Sequence, residues 1–139
     1  MARIACDFGT GNTVLARYNE SLGRAVTIEI PGITSAMRYI LSPGEPEQVV
    51  HVVPSAIHYA EQETLIGDQV IARGLADHPD TIRWMKRAIA QRTSKRRKTA
   101  QGHKSAAEAG MDFLHTVLQY ASDQISLTDD EFTFTAPTE

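Results

Sequence analysis

A glycine-rich break between two short apolar runs, near the start of the chain, constrains the fold more than any other feature. Residues 4–16 read IACDFGTGNTVLA, so an apolar segment reaches Asp7, breaks at a Gly-Thr-Gly turn and resumes as a second apolar segment. Two short apolar segments joined by such a turn are typical of a β-hairpin. We therefore predict strands at 3–8 and 13–19 with a tight turn between them.

This turn has the chemistry to hold a phosphate group. Glycine can take a positive φ and lets a ligand approach the backbone closely, and successive N–H groups in such a turn form an anion-binding concavity. Asp7, at the end of the first strand, is placed to orient a hydrated cation that partners those phosphates. An ordinary hairpin turn without a ligand has a similar composition and stays open as the alternative. The candidate phosphate-binding residues are Gly9, Thr10, Gly11, Asn12 and Thr13.

Composition and charge fit one globular unit. The chain has 139 residues, of which 42% are apolar and 22% charged, and these fractions are usual for globular domains. No apolar run approaches the roughly 18 residues of a membrane span, and the amino terminus lacks a secretory h-region. Cys6 has no partner for an internal disulfide, and its place in a strand predicts a small buried side chain. These features predict a cytoplasmic protein that does not enter membranes.

The sequence contains no motif for several common kinds of functional site. The five histidines show no metal-ligand spacing, and the chain has neither a Walker Gly-Lys-Ser/Thr motif nor a Gly-x-Ser-x-Gly elbow. A metal centre, a P-loop and a hydrolase triad are therefore not predicted.

Positive charge is concentrated in one segment. Residues 83–104 hold nine Lys and Arg side chains and no carboxylate, so with a total of −3 the rest of the chain carries −12. Residues 92–98 (RTSKRRK) favour a solvated, mobile loop that joins two elements. The alternative is a patch for phosphate, nucleic acid or an acidic partner. No aromatic residue interleaves with this run, so nucleic-acid binding by base stacking is not favoured.

Apolar periodicity predicts further elements. Strands at 3–8, 13–19 and 24–30 would form a meander. Residues 42–46 (SPGEP) are predicted as a loop, and the rest of 33–50 has no clear assignment before the strand at 49–53. The sequence also predicts two short strands at 49–53 and 56–59, a short helix at 67–75 and a closing strand at 132–135. Two longer helices are predicted as well.

Those two helices are predicted from capping and spacing. Asp80 is expected to cap a helix that carries Ile82, Met85 and Ile89 at i, i+3 and i+7. The other helix is expected to begin at Ser105, with Glu108 three residues later completing a capping box. Its expected buried stripes are Met111, Leu114, Leu118 and Ala121 on one side, and Phe113, Val117 and Tyr120 on the other.

Further blocks along the chain carry a family resemblance. The opening is similar to the motif Asp-aliphatic-Gly-Thr-x-Asn-Thr/Ser of the actin, sugar kinase and heat-shock chaperone superfamily. Residues 53–57 (VPSAI), 65–73 (LIGDQVIAR) and 79–89 (PDTIRWMKRAI) then resemble, in order, blocks of the seventy-kilodalton heat-shock chaperones. The tail at 131–137 (EFTFTAP) resembles that family's apolar-Thr-apolar-Pro strand.

The resemblance implies an α/β fold, with the opening β-meander of an actin-like (ribonuclease H-like) ATPase lobe and a smaller α/β subdomain. Residues 1–30 and 122–139 would belong to that lobe, and 31–121 to the outer subdomain. The chain would be an amino-terminal fragment that contributes the phosphate-1 hairpin to a cleft for ATP or ADP with Mg²⁺.

The resemblance also assigns roles. Asp7 would position the hydrated metal, and Lys86 matches the family's lysine that reaches toward the γ-phosphate, so both are candidate catalytic residues. Turnover is expected only in the complete protein, whose partners would be the rest of the ATPase domain, clients and co-chaperones. The strand at 132–136 could pair with a second copy. An actin-like or sugar-kinase-like relative, and an interaction module that uses 92–98, stay open as alternatives.

Overall fold

Residues 1–135, which the computed structural model describes, combine strands with a few helices. The strands are β1 Arg3–Phe8, β2 Asn12–Asn19, β3 Arg24–Thr27, β4 Ser35–Tyr39, β5 Gln48–Pro54, β6 Ala56–Tyr59, β7 Thr64–Ile66, β8 Thr81–Arg83, β9 Arg96–Thr99, β10 Gly102–Ser105 and β11 Glu131–Phe134. The helices are α1 Asp68–Ala72, α2 Met85–Ala90 and α3 Ala106–Tyr120. The predicted α/β class is confirmed.

The largest sheet is mixed and has the order β11-β1-β2-β5-β4, with β3 also paired to β2. β1, β2 and β3 form the predicted antiparallel meander. Gly23, at φ 63, makes the turn from β2 into β3. β11 pairs in parallel with β1, with Ile4 opposite Phe132. The carboxyl ends of β1 and β11 therefore meet at one edge of the sheet.

Residues 33–50, which had no clear assignment apart from the loop at 42–46, belong to a β-hairpin that is built around that loop. β4 pairs with β5, and Met37 lies opposite Val50. Four of the five β4 residues are exposed, so this strand lacks the alternation of buried and exposed residues by which strands are found in sequences. The start of β2 also pairs with β5, which attaches this hairpin to the meander.

A second sheet has the order β7-β6-β8. The prediction that a helix begins after Asp80 is wrong, because residues 81–83 form a strand in which Ile82 lies opposite Ile57. α2 begins only at Met85, after Trp84 at φ 61. Pairing with β6 therefore overrides the local helical spacing that the sequence suggested. The short helix expected at 67–75 is present as α1.

The basic run is not wholly a loop. β9 and β10 form an antiparallel hairpin in which Arg97 lies opposite Lys104. Residues 92–95 precede it and are exposed, with Arg92 at φ 53. The prediction of a loop is thus wrong for 96–98.

α3 begins as predicted. Ser105 accepts a hydrogen bond on Oγ from the backbone N–H of Glu108, at 3.1 Å. Hydrogen bonding from Ser105 also holds the pKa of the Glu108 carboxyl below its usual value. The expected stripes are only partly right, because Met111 is 73% exposed and Tyr120 is also exposed. The buried α3 residues are Ala109, Gly110, Phe113 and Val117.

One hydrophobic cluster joins the elements. It includes Ile4 and Leu15 of the meander, Ile57 of the second sheet and Phe113 of α3, so it draws on both predicted subdomains. Within residues 1–135, no helix is both long and apolar enough to cross a membrane. β11 confirms the closing strand, and among the described residues it pairs with β1 alone. Residues 136–139 lie outside the described part, and pairing of 132–136 with a second copy stays a prediction.

A buried histidine makes the stability depend on pH. His58 is 5% exposed, and its Nδ1 lies 2.8 Å from Oγ1 of Thr81. That hydroxyl donates its own proton to the carbonyl of Leu75 at 2.7 Å, so His58 carries its proton on Nδ1. Burial, followed by the neighbouring His78, lowers the pKa of His58. These effects are larger than the opposing effect of Asp80 and Glu63, which raise the pKa.

We expect the free energy of unfolding to fall as the pH drops below about 6.5, the ordinary pKa of the side chain. The unfolded chain then binds a proton that His58 resists in the folded state, which gives a slope of at most about 1.4 kcal/mol per pH unit. Urea unfolding between about pH 7.5 and about 5.5, where most carboxylates stay ionised, measures it. His58→Gln should reduce the slope, whereas His103→Gln, at an exposed position, should keep it. A wild-type stability that is flat over this range would contradict the assignment.

Candidate functional site

The turn between β1 and β2 requires glycine at position 9 because the chain folds closely back on itself. A Cβ atom at Gly9 would fall well inside contact distance of the carbonyl oxygen of Asn12, whereas one at Gly11 would have no neighbour within 4 Å. Neither glycine has a positive φ. The turn therefore does not use the positive φ that glycine allows, and the close approach of the backbone is what requires Gly9.

Ser55 holds this turn from behind. Its hydroxyl donates to the carbonyl of Gly9 at 2.9 Å, and its backbone N–H donates to the carbonyl of Gly11 at 2.9 Å. The hydroxyl of Thr13, which is fully buried, lies 2.9 Å from that of Ser55. Because the Ser55 proton is engaged with Gly9, Thr13 is the donor in this pair. Residues from the opening hairpin and from the Val-Pro-Ser block thus form one hydrogen-bonded unit.

These bonds decide where the amides of the turn point. In a trans peptide the C=O of one residue and the N–H of the next point in opposite directions, and no described peptide bond is cis. Since the carbonyls of Gly9 and Gly11 are directed at Ser55, the N–H groups of Thr10 and Asn12 are directed away from it. Gly11 and Asn12 are exposed. The turn therefore presents amide donors outward.

Asp7 lies beside the turn, at the edge where the carboxyl ends of the parallel strands β1 and β11 meet. Thr135, the residue after β11, donates from Oγ1 to Oδ1 of Asp7 at 2.7 Å. Its backbone N–H donates to the carbonyl of Cys6 at 3.1 Å. The hydroxyl of Thr135 orients the carboxylate, and Asp7 itself is exposed. Nothing in the sequence around either residue indicates this contact.

The surroundings of Asp7 limit how a metal ion could be held. Among residues 1–135, no group of three or more His, Cys, Asp or Glu side chains is arranged to ligate a metal. A single carboxylate with one oxygen engaged by Thr135 fits contact through water, which is how Mg²⁺ is commonly held. The water-mediated role of Asp7 stays a prediction.

Lys86 lies on α2, close to the end of β1. The side chain of Ile89, one turn further along α2, and the ring of Phe8 both lie within 4 Å of the Cβ position of Gly110 on α3. This places α2 beside the residue that follows Asp7. Lys86 is half-buried, and its ammonium forms no hydrogen bond or ion pair with the described residues. Asp7 and Phe8 alternate to opposite faces of β1, so this packing places α2 against the Phe8 face of the sheet and gives Lys86 no hydrogen bond or ion pair with Asp7.

A small cavity of about 70 Å³ opens beside the turn. Two residues that the sequence did not single out, Arg83 and Trp84, form part of its wall. The guanidinium carbon of Arg83 lies 5.3 Å from the Trp84 ring centroid, and the same group pairs with Asp77 at 3.0 Å. A positive φ is unusual for a bulky residue such as Trp84. The cavity is lined by Thr10, Gly11, Pro54, Ser55, Ala56, Ile71, Arg83 and Trp84.

Cys6 packs in the core, as predicted. It is 1% exposed. Burial, reinforced by the neighbouring charge of Asp7, raises the pKa of its thiol to about 11. The thiol therefore stays protonated at neutral pH and is a poor nucleophile.

Comparison with known proteins does not identify a family for this chain. No protein-family model matches the chain, and no curated protein matches it.

Proposed function

We propose that this chain forms the phosphate-binding wall of a nucleotide cleft in a chaperone-like ATPase of the actin, sugar kinase and heat-shock chaperone superfamily. The observation that carries the proposal is the contact of Ser55 with the turn at 9–11, because it directs the amides of Thr10 and Asn12 outward. Outward amides in a short turn form the kind of concavity that binds phosphate oxygens.

The sheet topology supports the proposal. In open α/β sheets, ligands bind outside the carboxyl ends of the strands. Asp7 and Thr135 lie at those ends on the neighbouring parallel strands β1 and β11, and the turn follows β1 directly. An antiparallel meander whose first strand takes a later parallel neighbour is consistent with the actin-like lobe that the sequence resemblance implies.

Each residue has a definite task in this proposal. The turn would hold the phosphates by its amides, with the side chains of Thr10 and Asn12 as further partners. Asp7, oriented by Thr135, would hold water molecules of a hydrated Mg²⁺, which neutralises phosphate charge when it is bound. Lys86 would supply a compact positive charge to the transferring group. ATP turnover, and the clients and co-chaperones of a chaperone cycle, are expected only when a second lobe closes the cleft.

The proposal is testable on this chain by titration with Mg-ADP, followed by NMR of the backbone amides. We expect shifts at Thr10, Asn12 and Thr13, with an affinity of about millimolar because only one wall is present. The single tryptophan, Trp84, lines the cavity next to the turn, so its fluorescence provides a second readout. Another exposed hairpin turn, at residues 20–23, is the internal control and should not shift.

Two variants separate the roles. Asp7→Asn should remove the dependence on Mg²⁺, and Lys86→Ala should weaken Mg-ATP by a larger factor than Mg-ADP, because the lysine is assigned to the γ-phosphate. Lys95→Ala, an exposed lysine outside the site, should leave both affinities unchanged. Equal shifts in the turns at 9–13 and 20–23, or no shift in either, would contradict the proposal.

A further inference from the structure

A groove of about 510 Å³, which shares Arg83 with the cavity beside the turn, lies between the end of β8, α2 and the β9-β10 hairpin. We call it the basic groove. Its apolar lining comes from Ile82, Ala88 and Ala106, and the remainder is mostly cationic. The residues that line it are Ile82, Arg83, Ala88, Thr93, Lys95, Arg96, Arg97, Lys98, Lys104 and Ala106.

The basic groove carries uncompensated positive charge. Six of its ten lining residues are Lys or Arg, and none is Asp or Glu. Three of the six are paired with carboxylates outside the lining, namely Arg83 with Asp77, Arg96 with Glu108 and Lys104 with Asp112. The other three, Lys95, Arg97 and Lys98, form no ion pair within residues 1–135. The surplus of about three charges favours an anionic occupant.

The pairing of β9 with β10 adds to this preference. Arg97 lies directly opposite Lys104, and both line the groove. Like charges at directly opposed positions of an antiparallel pair are destabilising. Asp112 compensates Lys104 at 3.2 Å, whereas Arg97 has no such partner in the described residues. An anion in the groove would relieve the repulsion.

Two unpaired strand edges also border the groove. Within residues 1–135, β8 pairs only with β6, and β9 pairs only with β10. Ile82 and Arg83 of β8 and residues 96–98 of β9 line the same space. Unpaired N–H and C=O groups on a strand edge are a ready template for another extended chain.

We propose that the basic groove binds an extended acidic polypeptide segment of a partner, which adds as a strand to the free edge of β9 or β8. Main-chain hydrogen bonds would provide affinity, and carboxylates of the segment would pair with the surplus cations. A segment with alternating acidic and apolar residues fits best, because it could place apolar side chains on Ile82, Ala88 and Ala106. No aromatic residue lines the groove, so the stacking that supports single-stranded nucleic acid is missing.

The test measures fluorescence anisotropy of a labelled peptide with alternating valine and glutamate, of about six residues, a usual strand length. We expect binding that weakens with salt, and a loss of about tenfold or more in the double variant Arg97→Ala, Lys98→Ala. The double variant Arg24→Ala, Arg38→Ala removes the same charge from exposed positions elsewhere and should bind as the wild type does. A peptide with prolines in place of the valines should bind weakly, because proline cannot donate to a strand.

Hydrogen exchange on the wild-type chain gives a readout that does not depend on any variant folding. The peptide should slow exchange at amides of 96–98 or of 81–83. Equal binding of the proline peptide, equal binding by the two double variants, or unchanged exchange at both edges would overturn the proposal. Tighter binding of polyphosphate or single-stranded DNA than of the peptide would also overturn it, in favour of a phosphate-rich partner.

Discussion

Replacing Gly9 with alanine is expected to lower the free energy of unfolding by about 2–4 kcal/mol and to abolish the response of the turn to Mg-ADP. The added Cβ would overlap the carbonyl oxygen of Asn12, which is backbone and cannot rotate away. The turn would have to open, and the two hydrogen bonds from Ser55 would lengthen or break. Urea unfolding and the NMR titration measure the two effects.

Gly11→Ala is the matched control. It adds the same methyl group two residues away, where no atom lies within 4 Å of the new Cβ and φ is not in the left-handed region. Its stability should stay within about 0.5 kcal/mol of the wild type. If Gly9→Ala proves as stable as Gly11→Ala, the close approach of the backbone at Gly9 is not a constraint on this turn.

Replacing Phe113 with alanine should be the most destabilising single change in α3, at about 3–5 kcal/mol. The side chain is fully buried, and its ring lies 6.0 Å from that of Phe8, centroid to centroid. Its removal would leave a cavity against the ring of Phe8, at the end of β1 from which the turn begins. Besides the loss measured by urea unfolding, we therefore expect broadened NMR signals from the turn at 9–11.

Met111→Ala is the control for that change. The sequence placed Met111 in an apolar stripe of the same helix, but the residue is 73% exposed. Its truncation should change the free energy of unfolding by no more than about 0.5 kcal/mol. A large loss in Met111→Ala would show that this face of α3 is covered in solution.

Local signals predicted much of the meander and α3. The strands at 3–8 and near 13–19 follow from short apolar runs on either side of a glycine-rich turn, and the start of α3 follows from Ser105 and Glu108 three residues apart. These features depend on residues that are close together in the sequence, so a local pattern is enough to predict them.

The missed elements have a common cause. β4 is mostly exposed and shows no alternation, β8 carries a helix-like spacing around Ile82, and β9 is a run of charged residues. Each is a strand because a partner strand satisfies its backbone hydrogen bonds. Such pairing depends on where the partner lies, and local propensity is too weak to reveal it.

The candidate site shows the same division. The sequence by itself determined which residues are candidates for phosphate binding, namely Asp7 and the turn from Gly9 to Thr13, because that candidacy depends on side-chain type and glycine content. Only the tertiary structure decided that Ser55, 42 residues from Thr13, braces the turn, and that Thr135, 128 residues from Asp7, orients its carboxylate. Contacts at such separations depend on the packing of whole sheets, and no short-range pattern encodes their geometry.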